Sequence, residues 1–470
     1  MDAYRRTLGA ASHGESLETV ALEPLMTRDY DTRPALVFER LRARYGPVAP
    51  VEVLGVPVWL VLGYSQVLEV LRNHRGIWSK RLTDWRAWAD GRVPADWPLR
   101  PAFEVNHVIF QEGERLRALR AAYAEALTPF QDASHPQARR LRAAATRYAD
   151  ELIDVMTEGG PTGFADLCAQ YARPLPLMVV DRLLGFEGEA GDGVLMDMWR
   201  VLDAGPDSTA ALDRLLAALA ELGAEKMARP GDDLPSLMLA AYPGFTIDEL
   251  SRELMMLVGV IGDYIGILIG NTMAEVIGGG PRVRAALSVG MIRETINRVA
   301  ITNPPMHNLS FRCPSVDTRL GEFTISAGEP VMLSVAAAHA DPAFAGGLDS
   351  DALYSTRAHL AWGAGAHECL GRELATTVVT IAISRLFERC SALTLTLPAD
   401  QLPWRPSPLI RGLRSLPVRY ELADSGPGPV SPAHTSTQAD AQAQSTEQDP
   451  GPEPVRSVLR RFLRSLRRER

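Results

Sequence analysis

Cysteine is scarce in this chain of 470 residues: Cys168, Cys313, Cys369 and Cys390 are the only four. Their spacing matches neither a paired metal-ligand motif nor a secretory disulfide framework. The N-terminus lacks a basic stretch followed by an apolar one, so no secretory leader is expected and the predicted setting is the reducing cytoplasm. Surplus positive charge is also missing. With a formal net charge of −8 the chain is not expected to bind nucleic acid. No linker interrupts the chain before residue 424, and 46% hydrophobic content is enough for one large core. Aliphatic residues then almost vanish across 425–454, where Pro, Gly, Ser, Thr, Gln and Asp prevail. Such a composition cannot offset its ordering entropy, so this stretch reads as a disordered linker between a domain at 1–424 and a tail at 455–470.

The tail carries seven arginines and one glutamate, which leaves the rest of the chain more acidic than its average. Val455, Val458, Leu459, Phe462, Leu463 and Leu466 recur at helical spacing, with arginines on the opposite face. That pattern predicts a basic amphipathic helix suited to an anionic membrane surface or an acidic partner protein.

Within the body, apolar alternation over Pro47–Leu62 predicts strands, and a helix follows at Ser65–Asn73. Helical periods dominate from Arg115 onward, over Arg115–Leu127, Pro136–Met156, Leu175–Leu184, Val194–Leu202 and Ser208–Met227. Residues 246–277 hold the longest helical pattern. Its apolar length would span a membrane, but Asp263, Asn271 and several glycines favour a buried central helix. Strand character returns at Leu320–Ile325 and Val331–Leu333, and a helix is expected at Arg372–Leu386. The fold class is therefore mainly α with minor β.

One segment stands out: Trp362-Gly363-Ala364-Gly365-Ala366-His367-Glu368-Cys369-Leu370-Gly371. Gly363, Gly365 and Gly371 are expected to permit backbone conformations forbidden to residues with a β-carbon, wrapping the chain tightly and aiming a sulfur. The helix predicted to begin near Leu370 would favour the thiolate through its positive end.

This segment resembles the haem-binding loop of the cytochromes P-450, Phe-Gly-x-Gly-x-His-x-Cys-x-Gly, with Trp362 in place of phenylalanine. The resemblance extends over roughly residues 30–422. It implies the P-450 fold and a b-type haem whose iron takes the Cys369 thiolate as axial ligand. It implies a monooxygenase that acts with O2 on a small apolar or amphipathic molecule. Electrons would come from a separate ferredoxin-type donor, since no flavin or iron–sulfur module is visible. Trp362, Gly363, His367 and Gly371 fall on the loop positions that surround haem, and Arg120, Arg312 and His367 on those of propionate partners. The histidine that usually accompanies Arg120 is replaced by Leu116.

Two departures matter. The family's Glu-x-x-Arg motif is absent before Pro305; Glu294 and Arg298 are one residue out of register and suit an ordinary helical ion pair. Something else must brace the coil that leads to the haem loop. On the long helix, the resemblance aligns the acid and alcohol that relay protons with Asp263 and Tyr264, so a phenol replaces a small hydroxyl; the other reading of Asp263 is a buried structural carboxylate capping a helix bulge. A hairpin is expected over Trp404-Arg405-Pro406-Ser407-Pro408-Leu409-Ile410-Arg411-Gly412-Leu413, with a strand at Leu416–Tyr420, and Ile410 is expected at the substrate pocket. The missing motif together with this segment is similar to an actinobacterial subset typically encoded beside sensor-kinase, Roadblock-like and small-GTPase components. That similarity opens a second reading, a haem-bearing regulatory or sensor subunit of a membrane-proximal complex with weak turnover.

Overall fold

The computed structural model describes residues 16–423, except 187, 204–206, 280–289 and 350. The expected linker at 425–454 and the tail helix at 455–470 lie outside the described residues.

Strands form early in the chain, where β-branched residues alternate. Val48–Val53 and Val56–Val61 pair antiparallel around a two-residue turn, Leu54 and Gly55, both with positive φ (52° and 86°). Such a turn matches the natural twist of the strands. The sheet grows to six strands in the order Glu23–Pro24, Val48–Val53, Val56–Val61, Val331–Ser334, Asn308–Pro314 and Trp78–Ser79. Chain segments about 250 residues apart thus share one sheet, which fixes Arg312 near Ser79 and Lys80 through the pairing of Ser79 with Cys313. The single strand expected at Leu320–Ile325 is instead a small hairpin, Thr318–Leu320 with Phe323–Ile325. Gly321 at φ 63° turns the chain there. A third sheet joins Cys390–Leu395, Pro417–Leu422 and Thr162–Asp166.

Helices make the larger part. The patterns from Arg115 to Met227 become Gly113–Gln131, Pro136–Thr157, Pro174–Leu184, Gly188–Asp203 and Ser208–Ala228. The long apolar stretch runs Ile247–Gly278, its first turn closed by reciprocal Thr246 and Glu249 hydrogen bonds. Two-thirds of its most apolar window is buried inside the protein (67%), which makes it a central core helix. Leu250, Leu254, Val258, Ile265, Leu268, Ile269 and Met273 pack into the main core with Val378, Val379, Ala382, Ile383 and Leu386 of helix Arg372–Arg389. At about 2 kcal/mol per buried aliphatic side chain, this contact holds the helix after Cys369 against the central helix.

Midway, the long helix widens into a π-helical turn at Val260–Ile265. Glycines at 259, 262 and 266 flank or lie within it, and a β-carbon at Gly262 would meet Leu177 at 2.7 Å. Such turns are often found at functional sites, and this one carries Asp263 and Tyr264.

Candidate functional site

The loop before helix Arg372–Arg389 is built as its glycines require, with one exception. Gly363 and Gly365 have φ of 73° and 71°. At Gly365 a β-carbon would also lie 2.4 Å from the Leu71 carbonyl oxygen, so only glycine lets the loop rest on helix Tyr64–Arg72. Gly371 differs from expectation. Its φ is −92°, and a β-carbon there would meet nothing within 4 Å. It sits as an ordinary N-cap, and the helix begins at Arg372 rather than near Leu370.

Cys369 donates its N–H to the Trp362 carbonyl at 2.8 Å, closing the loop on itself. The thiol is exposed, whereas Cys168, Cys313 and Cys390 are buried; all four are free. Surrounding protein pushes the Cys369 thiol up, while the Gly371 N–H, Arg120 and Arg372 act in the opposite sense and favour the thiolate. The positive end of the helix thus reaches sulfur through one backbone donor.

A cationic cluster gathers beside the loop. Arg120, on helix Gly113–Gln131, donates to the Glu368 carbonyl at 2.7 Å. Arg312 is buried on its strand and donates to the carbonyls of Ser310 and Phe311 at 3.3 Å and 3.4 Å. Burial lowers its pKa to about 10. His367 is held neutral by burial and by the charges of Lys80, Arg312 and Arg120, which together lower its pKa to about 2. Lys80 is itself buried, and its pKa is depressed by burial and by Arg312. His107 adds a further imidazole, lowered to about 4 by burial and by Lys80. Glu112 offsets part of this charge, accepting from the Lys80 N–H at 2.6 Å. A concentration of buried donors beside one accessible thiol fits a ligand that combines a soft metal with carboxylate arms, as haem does. Lys80 and His107 were not foreseen from sequence. Lys80 is one of only two lysines in the chain, a signal that could have drawn attention to it.

Asp263 and Tyr264 occupy the π-helical turn. Arg405 donates through Nη2 to both oxygens of Asp263, at 2.9 Å each, with the two side chains 20% and 15% exposed. The Tyr264 phenol next to it is pushed up to about 12 by burial and by Asp263, with Arg405 opposing. Beside this pair lies a cavity of about 10 Å³ lined by Cys168, Arg173, Asp263, Gly266, Ile267, Gly270, Arg405 and Leu413. That is room for a single water.

Arg405 belongs to the segment 404–413, which docks on the long helix. Asn271 donates to the Arg411 carbonyl at 2.9 Å, and Arg411 stacks 4.0 Å over Trp404. A β-carbon at Gly412 would come within 2.6 Å of Ile267. In place of a regular hairpin, isolated bridges join Trp404 to Leu413 and Ile410 to Met306. Ile410 is thereby held beside the chain that follows Pro305. The expected pair of Glu294 with Arg298 gives way to a different one: Arg298 donates to Glu275 of the long helix at 3.0 Å. The long helix brings Glu275 nearer than one turn of Arg298's own helix brings Glu294.

No family model matches the chain. Among curated proteins it is 30% identical over 405 residues to the cytochrome P-450 monooxygenase PikC of Streptomyces venezuelae, covering 84% of this chain and 92% of that one. It is also 30% identical over 397 residues to the vitamin D(3) 25-hydroxylase of Pseudonocardia autotrophica, covering 82% and 93%. Among solved structures it superposes on CYP154A1 of Streptomyces coelicolor with a TM-score of 0.70 at 29% identity, covering 82% and 97%. The regulatory reading has no support among these relatives.

Proposed function

The chain belongs to the cytochrome P-450 monooxygenases, and from that premise we propose that Cys369 is the axial thiolate of a b-type haem used to oxygenate a small apolar or amphipathic substrate. The observation that carries this is the accessible Cys369 thiol on a loop shaped by Gly363 and Gly365 and flanked by buried cations. Arg120 and Arg312 would hold the propionates as charged donors, with the buried Lys80 beside Arg312. His367 would serve as a further hydrogen-bond donor to a propionate. Trp362 and Gly363 would frame the proximal side, and Gly371 would give its N–H to sulfur. When bound, haem with a thiolate ligand supplies the activation of O2.

The residues of this chain would orient substrate and move protons. Tyr264 keeps its proton through the physiological range and would donate a hydrogen bond into the distal space. Asp263, anchored by Arg405, would orient a water in the adjoining cavity, which both residues line. Ile410, held against Met306, would present an apolar wall to substrate. Electrons would come from a ferredoxin-type donor, and the four free thiols suit a reducing cytoplasm. The arginine-rich tail pattern at 455–470 supports contact with an anionic membrane surface, to be checked by vesicle co-sedimentation of full-length and truncated protein at two salt concentrations.

The deciding experiment is the spectrum of the reduced protein with carbon monoxide. The red-shifted band of thiolate-ligated haem is expected, and Cys369→Ala should abolish it. A band unchanged by that substitution would transfer the ligand role away from Cys369.

A further inference from the structure

We propose that Asn297, His339 and His359 form a neutral hydrogen-bond network that positions the loop presenting Cys369. Asn297 lies buried on helix Ile292–Thr302. Its Nδ2 donates to the Thr356 carbonyl at 3.1 Å and lies 3.3 Å and 3.5 Å from those of Leu353 and Tyr354. Its Oδ1 meets His359 Nε2 at 3.1 Å, while His359 Nδ1 accepts the Ala361 N–H at 3.4 Å. Only the tautomer with hydrogen on Nε2 satisfies both contacts. One helical turn later, the Ile301 carbonyl lies 2.9 Å from His339 Nδ1, and His339 Nε2 accepts the Leu360 N–H at 2.8 Å. His339 is therefore the opposite tautomer.

The two helix positions, 297 and 301, lie on one face and grip the segment 353–361, from the end of helix Ala352–Ser355 into the coil. From there the bonds continue into the loop. Gly363 donates to the Leu360 carbonyl at 2.9 Å, and Cys369 donates to the Trp362 carbonyl at 2.8 Å. Each link from the helix to the cysteine's own backbone joins neutral groups. Their neutrality suits the site. An ion pair in this place would lose the hydration of two charges, whereas an amide and two imidazoles need only their partners. Arg357 and Arg372 act on His359 electrostatically, Arg298 pairs with Glu275 and lies 5.6 Å over the Tyr354 ring, and Arg293 pairs with Glu373. Asn297, His339 and His359 are thus positioning residues, acting on Cys369 through the coil.

This inference rests on the haem-thiolate reading, so the first measurement is the Cys369-dependent carbon monoxide band of the unmodified protein, whose absence would sink that reading before any network variant is compared. The network is then tested in the holoprotein by haem transfer to excess apomyoglobin and by the share of the reduced carbon monoxide complex in the red-shifted band. Asn297→Leu and His359→Leu should each release haem about ten-fold faster or more, the effect of one lost buried hydrogen bond, and lower the red-shifted share. His359→Gln, which retains a donor and an acceptor, and Arg298→Gln, at the margin, should stay within about two-fold of the parent. Should Asn297→Leu fail to accumulate, Asn297→Ser is compared in its place. Parental haem release and spectrum in the Asn297 variant would overturn the proposal. So would His359→Gln behaving like His359→Leu, since shape and not hydrogen bonding would then be the cause.

Discussion

Removing the guanidinium that holds Asp263 is the most informative single perturbation of the long helix. Arg405 reaches both carboxylate oxygens from one nitrogen, and neither side chain is more than a fifth exposed. An exposed pair would contribute under about 1 kcal/mol. Losing one partner of a fully buried pair costs about 3–5 kcal/mol. The intermediate burial places Arg405→Gln at about 2 kcal/mol of destabilisation, or about 2–4 °C in Tm once scaled to a chain of this length. Because the cost arises from one interaction, Asp263→Asn and Arg405→Gln should not add. The double variant is expected to fall short of their sum by about 1–2 kcal/mol. Thermal unfolding of the four holoproteins, followed by haem absorbance and far-ultraviolet circular dichroism, measures this cycle. The chemistry should respond as well. Arg405 opposes the upward push on the Tyr264 phenol, so its loss makes Tyr264 a poorer proton donor and lowers product formed per electron pair. Tyr264→Phe, which removes the phenol hydroxyl, should lower the yield in the Arg405-containing protein. Additivity within about 0.3 kcal/mol, together with unaltered product yield, would refute a working Arg405–Asp263 pair.

The loop glycines give a paired prediction: Gly365→Ala should abolish haem retention because of its φ of 71° and its 2.4 Å approach to Leu71, whereas Gly371→Ala should retain haem. Haem-to-protein absorbance ratios of the purified variants decide it, and equal ratios would count against the loop geometry. Acid should destabilise the protein through its buried histidines. His107 and His339 are lowered to about 4, and His307 and His359 to about 3, in each case chiefly by burial. The unfolded chain takes up these protons near pH 6.5 and the folded chain does not, so stability is full above 6.5 and is lost as pH falls from there toward 4. Each such histidine contributes a slope of about 1.4 kcal/mol per pH unit within that window. Denaturant titrations at pH 7, 6 and 5 should show it, and a flat profile would mean that these imidazoles already carry protons in the folded state.

Features governed by neighbours in sequence were legible beforehand. The strands at 48–61, the long apolar helix and the cysteine loop follow from alternation, helical period and glycine spacing, because backbone preference and the burial of one face act over a few residues. Gly363 and Gly365 take the left-handed conformation that the glycine spacing predicts, but Gly371 does not, and no local rule separates an N-cap glycine from a left-handed one. The partners of the site were beyond such reading. Arg405 meets Asp263 across 142 residues, His359 meets Asn297 across 62, and Lys80 comes beside Arg312 through the pairing of Ser79 with Cys313 in the sheet. Periodicity specifies which face of an element is buried but not which polar side chain will lie opposite, and a buried polar group takes whichever partner the fold brings within hydrogen-bond reach. The chain by itself therefore determined the cysteine loop and the central helix, whose conformations are local. Only the tertiary structure decided which residues brace the loop and hold the acid, because those contacts form when distant elements close around a common core.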